Sequence, residues 1–203
     1  MPGTVIFDLG GVYFCDGTRI AIDRFASEYR IPREAVEDIL SGEAGKQYRI
    51  GMITAEQFWQ RAKTSWNIQV SSTELALLWC SSYQRNDGTV GLVDRLRAAG
   101  HELLYLSDNT RERVNYLEEK YGFLEKFDAG IFSHVVKCKK PDPIIYQLLL
   151  DRASHPAAAC VYIDDKPEYL EPAKALGMQV IAFMDAPRLE TRLKELALLP
   201  DES

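Results

Sequence analysis

The chain has 203 residues, 46% of them hydrophobic, and a formal net charge of −6. That size suits one domain, or a core domain carrying an inserted one. The acidic balance argues against nucleic acid or an anionic membrane surface as the main partner, although a local site can still be positive and take a small anion. No uncharged apolar stretch is long enough to span a bilayer, and Met1-Pro2-Gly3-Thr4 does not read as a signal peptide. Cys15, Cys80, Cys138 and Cys160 lack CxxC spacing and are expected as free, mostly packed thiols in a reducing cytoplasm.

The first element is the apolar run Val5-Ile6-Phe7, which ends in Asp8-Leu9-Gly10-Gly11. A buried strand that delivers one carboxylate into a glycine loop is costly to keep for packing alone. It suits a nucleophile or a metal ligand aimed at an anion.

From Cys15 to Gly88 no strand is convincing. Amphipathic helical stretches are predicted at Arg19 to Glu28, Arg33 to Leu40, Ala55 to Thr64 and Ser72 to Tyr83. Glu34 and Glu56 fall in first turns, where the helix dipole favours them. Phe58, Trp59, Trp66 and Trp79 read as the core of a small helical bundle, from which one side chain could shape a pocket. Lys46, Tyr48 and Arg49 read as a loop facing the rest of the chain, a place where specificity would sit.

The second half alternates strand and helix. Helix is predicted over Thr89 to Ala99, Arg111 to Tyr121, Pro143 to Leu150 and Pro167 to Leu176, with Gly100, Gly122 and Gly177 as stops. Strand is predicted over His101 to Leu106, Ala129 to Phe132, Val161 to Ile163 and Met178 to Phe183, and the tail from Pro200 to Ser203 reads as loose. Such a rhythm demands an α/β fold with a doubly wound parallel sheet, in which ligands bind at strand C-termini. The polar residues at those ends are Ser107, Asp164-Asp165 and, before Pro141-Asp142-Pro143, Lys140. With Asp8 they point to phosphoryl chemistry. His101, His134 and His155 lack metal-ligand spacing and read as structural or surface residues.

Four segments in order, VIFDLGGV, LLYLSDNT, KKPDPIIY and CVYIDDKPEYL, resemble the four motifs of the haloacid dehalogenase-like (HAD) superfamily over essentially the whole chain. The helical insert is similar to that superfamily's cap, and GMITAEQFW resembles cap sequences of its sugar-1-phosphate phosphatase branch. The resemblance implies a Rossmann-like core at 1–14 and 89–203 and a helical cap at 15–88. It implies a Mg²⁺-dependent phosphatase acting on a small phosphorylated metabolite, such as a sugar phosphate, through an aspartyl-phosphate. Asp8 would be the nucleophile, and Lys140 would neutralise charge on it and on the phosphate. Ser107, Asp108 and Lys140 would line the phosphate site. Asp8, the Gly10 carbonyl, Asp165 and Asp164 would hold the metal, whose hard, octahedral character suits oxygen ligands.

Three positions depart from the family pattern. Gly10 replaces a usual Asp, which removes the general acid, a contribution of roughly 10²–10⁴-fold. Asp108 stands where many relatives have Asn; it or Asp16 could supply part of the missing acid, or Asp108 could cap the next helix. Tyr169 stands where the fourth motif often has Asn, which leaves Glu168 a possible supporting role. The readings left open are a non-catalytic binding or scaffolding protein of the same fold and, less consistent with the acid pair, a metal-independent 2-haloacid dehalogenase. A phosphonate hydrolase would need a desolvated cap lysine, which nothing marks, and a receiver domain would carry its acid pair early rather than last.

Overall fold

The computed structural model describes residues 3 to 200; the remainder of the tail expected to be loose, Asp201 to Ser203, lies outside them. Five parallel strands form one sheet: β1 (Thr4–Phe7), β2 (Glu102–Ser107), β3 (Ala129–Phe132), β4 (Cys160–Asp164) and β5 (Gln179–Ala182), in the order β3-β2-β1-β4-β5. β1 is central and buried throughout, with Phe7 in register with Tyr105 on one side and Ile163 on the other. Successive side chains alternate between faces. Val5 and Phe7 enter a large core shared with the N-terminal helices, while Ile6 joins Leu104, Tyr162, Ile145 and Leu149 on the opposite face. Helices α6 (Asp87–Ala98) and α11 (Ala186–Glu195) pack together, α6 against β2, while α9 (Pro143–Leu150) packs on β3 and α10 (Pro167–Ala175) on β4 and β5. The chain runs from β1 outward to β3, then returns to β4 on the other side of β1. The strand order therefore reverses at β1, where ligands bind in open α/β sheets.

The segment between β1 and α6 is helical, as its sequence demands: α1 (Gly17–Tyr29), α2 (Arg33–Ser41), α3 (Glu43–Arg49), α4 (Ala55–Trp66) and α5 (Ser72–Ser81). Its core is aromatic. Phe58 stacks on Tyr48 with centroids 4.6 Å apart and on Trp79 at 5.5 Å, and Trp59 and Trp66 both meet Phe25. A capping box between Thr54 and Gln57 fixes the start of α4. The segment touches the rest of the chain through α5 on α7 (Arg111–Tyr121) and α3 on α8 (Ser133–Val136).

Three helices escape the sequence reading. The stretch at Lys46, Tyr48 and Arg49, read as a loop, is α3, whose Gly45 lets its backbone close on the Leu40 carbonyl and whose apolar face is too short to show a period. α8 spans a single turn. α11 buries only Leu189 and Leu193, a stripe thin enough to be hidden among six charged or polar neighbours. Among the described residues no helix is long and apolar enough to cross a membrane. The four cysteines are free, with Cys80 and Cys160 buried.

Candidate active site

The C-terminal ends of β1, β2 and β4 deliver Asp8, Ser107 and Asp164 to one place, and the loop before α9 adds Lys140. All four are almost fully buried. Lys140 Nζ lies 2.9 Å from Asp8 Oδ1 and 2.6 Å from Asp164 Oδ2. Burial alone would lower the pKa of this ammonium, but the carboxylates around it, Asp8 first, hold it well above its ordinary value. Asp164 is engaged on both oxygens: Oδ2 also accepts from the Tyr162 hydroxyl, and Oδ1 accepts from the Lys166 backbone N–H at 2.9 Å. Asp164 and Asp165 do not cap α10; Lys166 holds that position without a side-chain bond.

Asp8, Asp164 and Asp165 each offer a carboxylate oxygen within 4.8 Å of the others. Burial pushes the Asp8 carboxyl up to about 8, with Lys140 opposing and Asp164 and Asp165 adding to the rise. Asp165 rises to about 6, through burial and then its neighbour Asp164. Three carboxylates share this small volume with the paired Lys140, and Lys166 acts on Asp165 from nearby, so positive charge still falls short of negative. Asp165 Oδ1 is buried without a hydrogen-bond partner among the described residues. An all-oxygen, anionic donor set with an orphaned oxygen fits a hard divalent cation. Gly11 makes room for it: φ is +101°, and a Cβ there would collide with the Asp165 carboxylate. The turn at residues 9 to 14 uses the Leu9 carbonyl and the Gly11 N–H on Phe14, and among the described residues no loop or turn N–H bonds the Gly10 carbonyl.

A cavity of roughly 370 Å³ opens above these groups, the size of a small metabolite. Asp8, Gly10, Ser107, Asp108 and Lys140 line it, with Tyr169, Lys46 and Arg49. Asp165 is absent from that lining and faces the carboxylate cluster instead. Tyr48 turns away and donates to Glu112 at 2.6 Å, while the Tyr169 ring lies 4.9 Å from Lys140 Nζ. Asp108 does not cap α7, which Thr110 does; its Oδ1 accepts from the Lys140 backbone N–H at 3.1 Å. Burial raises the Asp108 pKa, against Lys140. Asp16 lines the cavity but is exposed and caps α1. Glu168 is exposed and joins none of these contacts. None of the tryptophans of the helical segment lines the cavity; Tyr83, just beyond α5, does.

Sequence reasoning overlooked Tyr162, which bonds Asp164, and Tyr83, Thr18 and Arg113, which line the cavity. Arg113 left one readable signal, since it sits at helical spacing with Leu117 on the buried face of α7, where a charge has no ordinary place.

The model of the haloacid dehalogenase-like hydrolase family matches residues 2–177. Acyl-CoA dehydrogenase family member 10 of Mus musculus is 29% identical over 96% of this chain and 19% of its own length. Sesquiterpene phosphatase astK of Aspergillus oryzae is 22% identical, over 94% of both chains. A HAD family enzyme of Bacteroides thetaiotaomicron, crystallised with magnesium and inorganic phosphate, superposes with a TM-score of 0.76 at 20% identity, over 93% of this chain and 99% of that one. The chain spans between 19% and 65% of the length of the three curated relatives that it matches at 28 to 30% identity. A family match across most of the chain, on a parallel sheet that gathers Asp8, Ser107, Lys140 and the Asp164-Asp165 pair, makes this protein a member of the haloacid dehalogenase-like hydrolase family.

Proposed function

We propose that this chain is a Mg²⁺-dependent phosphomonoesterase for a small phosphorylated metabolite. The observation that carries the reading is the carboxylate cluster of Asp8, Asp164 and Asp165, which leaves Asp165 Oδ1 without a partner beside a lysine-paired Asp8. Similarity to a sesquiterpene phosphatase and to an enzyme crystallised with magnesium and inorganic phosphate supports it. Asp8, Asp165 and the Gly10 carbonyl would hold the ion, with Asp164 contributing directly or through water. Bound there, Mg²⁺ would offset the repulsion between the Asp8 carboxylate and a phosphate dianion.

Lys140 holds Asp8 Oδ1, which leaves Oδ2 to attack phosphorus in line. The new Asp8 O–P bond forms as the P–O bond to the leaving group breaks, and the leaving oxygen takes a proton from solvent. Water then attacks phosphorus and gives up a proton to solvent, the O–P bond to Asp8 breaks, and inorganic phosphate departs. Lys140 and the Ser107 hydroxyl neutralise and bind the phosphoryl oxygens. The Asp108 side chain is engaged with Lys140, so its share in phosphate binding falls to its backbone N–H. Gly10 supplies no acid, which favours a good leaving group such as an anomeric oxygen. Residues 15 to 88 act as the cap that covers the site and excludes bulk water.

The test is phosphate release from a panel of sugar 1-phosphates, 6-phosphates, nucleotides and p-nitrophenyl phosphate, with and without Mg²⁺, beside the Asp8→Asn protein. Mg²⁺-dependent release that disappears in the variant is the expected result. Folded protein that binds Mg²⁺ yet releases no phosphate from any ester would favour the non-catalytic alternative.

A further inference from the structure

The cavity is far more positive than the molecule around it. Eight lysine and arginine side chains line it against four carboxylates, in a chain of net charge −6. Lys140 is spoken for by Asp8 and Asp164, and Arg33 by Asp23 and Glu37. Among the described residues, Arg49 and Arg113 form no ion pair. Arg113 is 2% exposed, and among those residues its Nε and Nη2 have no acceptor. Its Nη1 donates to the Tyr83 hydroxyl at 2.6 Å. Arg49 comes from α3, where Nη1 donates to the Leu40 carbonyl at 2.9 Å and Nη2 reaches Thr18 Oγ1 only at 3.5 Å.

Both guanidinium groups lie over the same ring, with Cζ 4.4 Å (Arg113) and 5.3 Å (Arg49) from the Trp79 centroid. Aromatic faces attract a cation but accept none of its in-plane N–H groups. Two half-satisfied guanidinium groups over one ring repel each other and are desolvated, an arrangement that costs stability unless an anion joins them. Guanidinium forks suit oxyanions, which accept two parallel hydrogen bonds. Tyr83 fixes where the pair lies relative to the chemistry, because its ring packs against Gly10 and its hydroxyl contacts Arg113. Arg113 thus stands one tyrosine ring away from the Asp8 loop, and Arg49 reaches the same tyrosine through Thr18, whose hydroxyl lies 2.6 Å from that of Tyr83.

We propose that Arg49 and Arg113 form a subsite for a second oxyanion, so that the substrate is a phosphomonoester carrying a further carboxylate or phosphate group. The proposal rests on the phosphatase reading for the identity of the first anion. Arg49 is contributed by α3 and Arg113 by α7, so an anion between them also draws the helical segment toward the sheet.

The experiment is calorimetric titration of the Mg²⁺-loaded protein with phosphonates that cannot be hydrolysed. Methylphosphonate carries one anionic group. Phosphonoacetate, 3-phosphonopropionate and propane-1,3-diyl bisphosphonate add a second at increasing reach, the last as a phosphonate rather than a carboxylate. At least one of the three should bind about 10- to 100-fold tighter than methylphosphonate. Arg113→Met and the less buried Arg49→Met should each bring that ratio below about threefold, while Arg49→Lys retains part of it. Near-ultraviolet circular dichroism confirms that each variant is folded. A ratio near one in the native protein, or a ratio unchanged in both methionine variants, overturns the subsite. Mg²⁺-dependent release from p-nitrophenyl phosphate is read in parallel. Its absence beside a large binding ratio would reject the phosphatase reading and leave the subsite standing.

Discussion

The ring of Tyr83 lies over Gly10, so that a Cβ added at residue 10 would meet its Cε1 at an ordinary 3.6 Å. Next door the situation reverses, since a Cβ at Gly11 would run into the Asp165 carboxylate from a backbone with φ of +101°. The two glycines of the loop therefore do different work. Gly10 leaves space where a catalytic acid could stand, and Gly11 keeps that carboxylate free to face the cluster.

Substitution should separate them. Gly10→Asp is expected to fold normally and to speed hydrolysis of alkyl phosphates by up to about 10²-fold, with little change on p-nitrophenyl phosphate, whose leaving group needs no acid. Gly11→Ala should weaken Mg²⁺ binding by about tenfold or more, because both backbone and carboxylate must shift. Steady-state kinetics on the two substrate types and Mg²⁺ titration read these effects.

Lys140 bridges Asp8 and Asp164 in the interior. Lys140→Met leaves those carboxylates without their ammonium, and removing one partner from a buried ion pair costs about 3–5 kcal/mol. Thermal unfolding in EDTA should show that loss, Mg²⁺ should restore part of it, and phosphate release should fall about 10³-fold. A variant as stable as the parent in EDTA would contradict the buried geometry.

Trp59 and Trp66 sit in one aromatic core with different polar fates. Trp66 Nε1 donates to the Ala35 carbonyl at 3.0 Å, whereas Trp59 Nε1 is buried without a partner. Trp59→Phe removes an unsatisfied donor along with some packing, and should change stability by within about 1 kcal/mol. Trp66→Phe loses a hydrogen bond as well, and about 2 kcal/mol is expected. Urea unfolding of the two variants makes the comparison directly.

His134 gives stability a dependence on pH. Burial pushes its pKa below the ordinary value; the Asn109 carbonyl, which accepts from Nδ1 at 2.9 Å, and Glu112 oppose the shift, and Arg111 and Lys137 add to it. The unfolded chain therefore takes up the proton first, and stability falls as pH drops below about 6.5. Replacing His134 with Asn should flatten the unfolding free energy between pH 7 and 5 relative to the parent.

The sheet was legible because its strands are short apolar runs separated by amphipathic helices with glycine stops, a pattern set by burial on both faces and readable one residue at a time. Asp8, Ser107, Lys140 and Asp164-Asp165 were legible for the same reason, as polar interruptions at the ends of such runs. The family match extended that reading across residues 2–177. α3 and α11 were not, since a helix with two buried leucines or an internal glycine carries too weak a period. Only tertiary structure decided that Asp108 would clasp the Lys140 backbone rather than cap α7, and that Tyr162 would bond Asp164. Nor could spacing reveal that Arg49 and Arg113, 64 positions apart in the chain, both lie over the Trp79 ring, with Arg113 also over Tyr83. Local periodicity reports which side of an element is buried. Which charges meet there depends on how separate elements pack, and that is written in no single stretch of sequence.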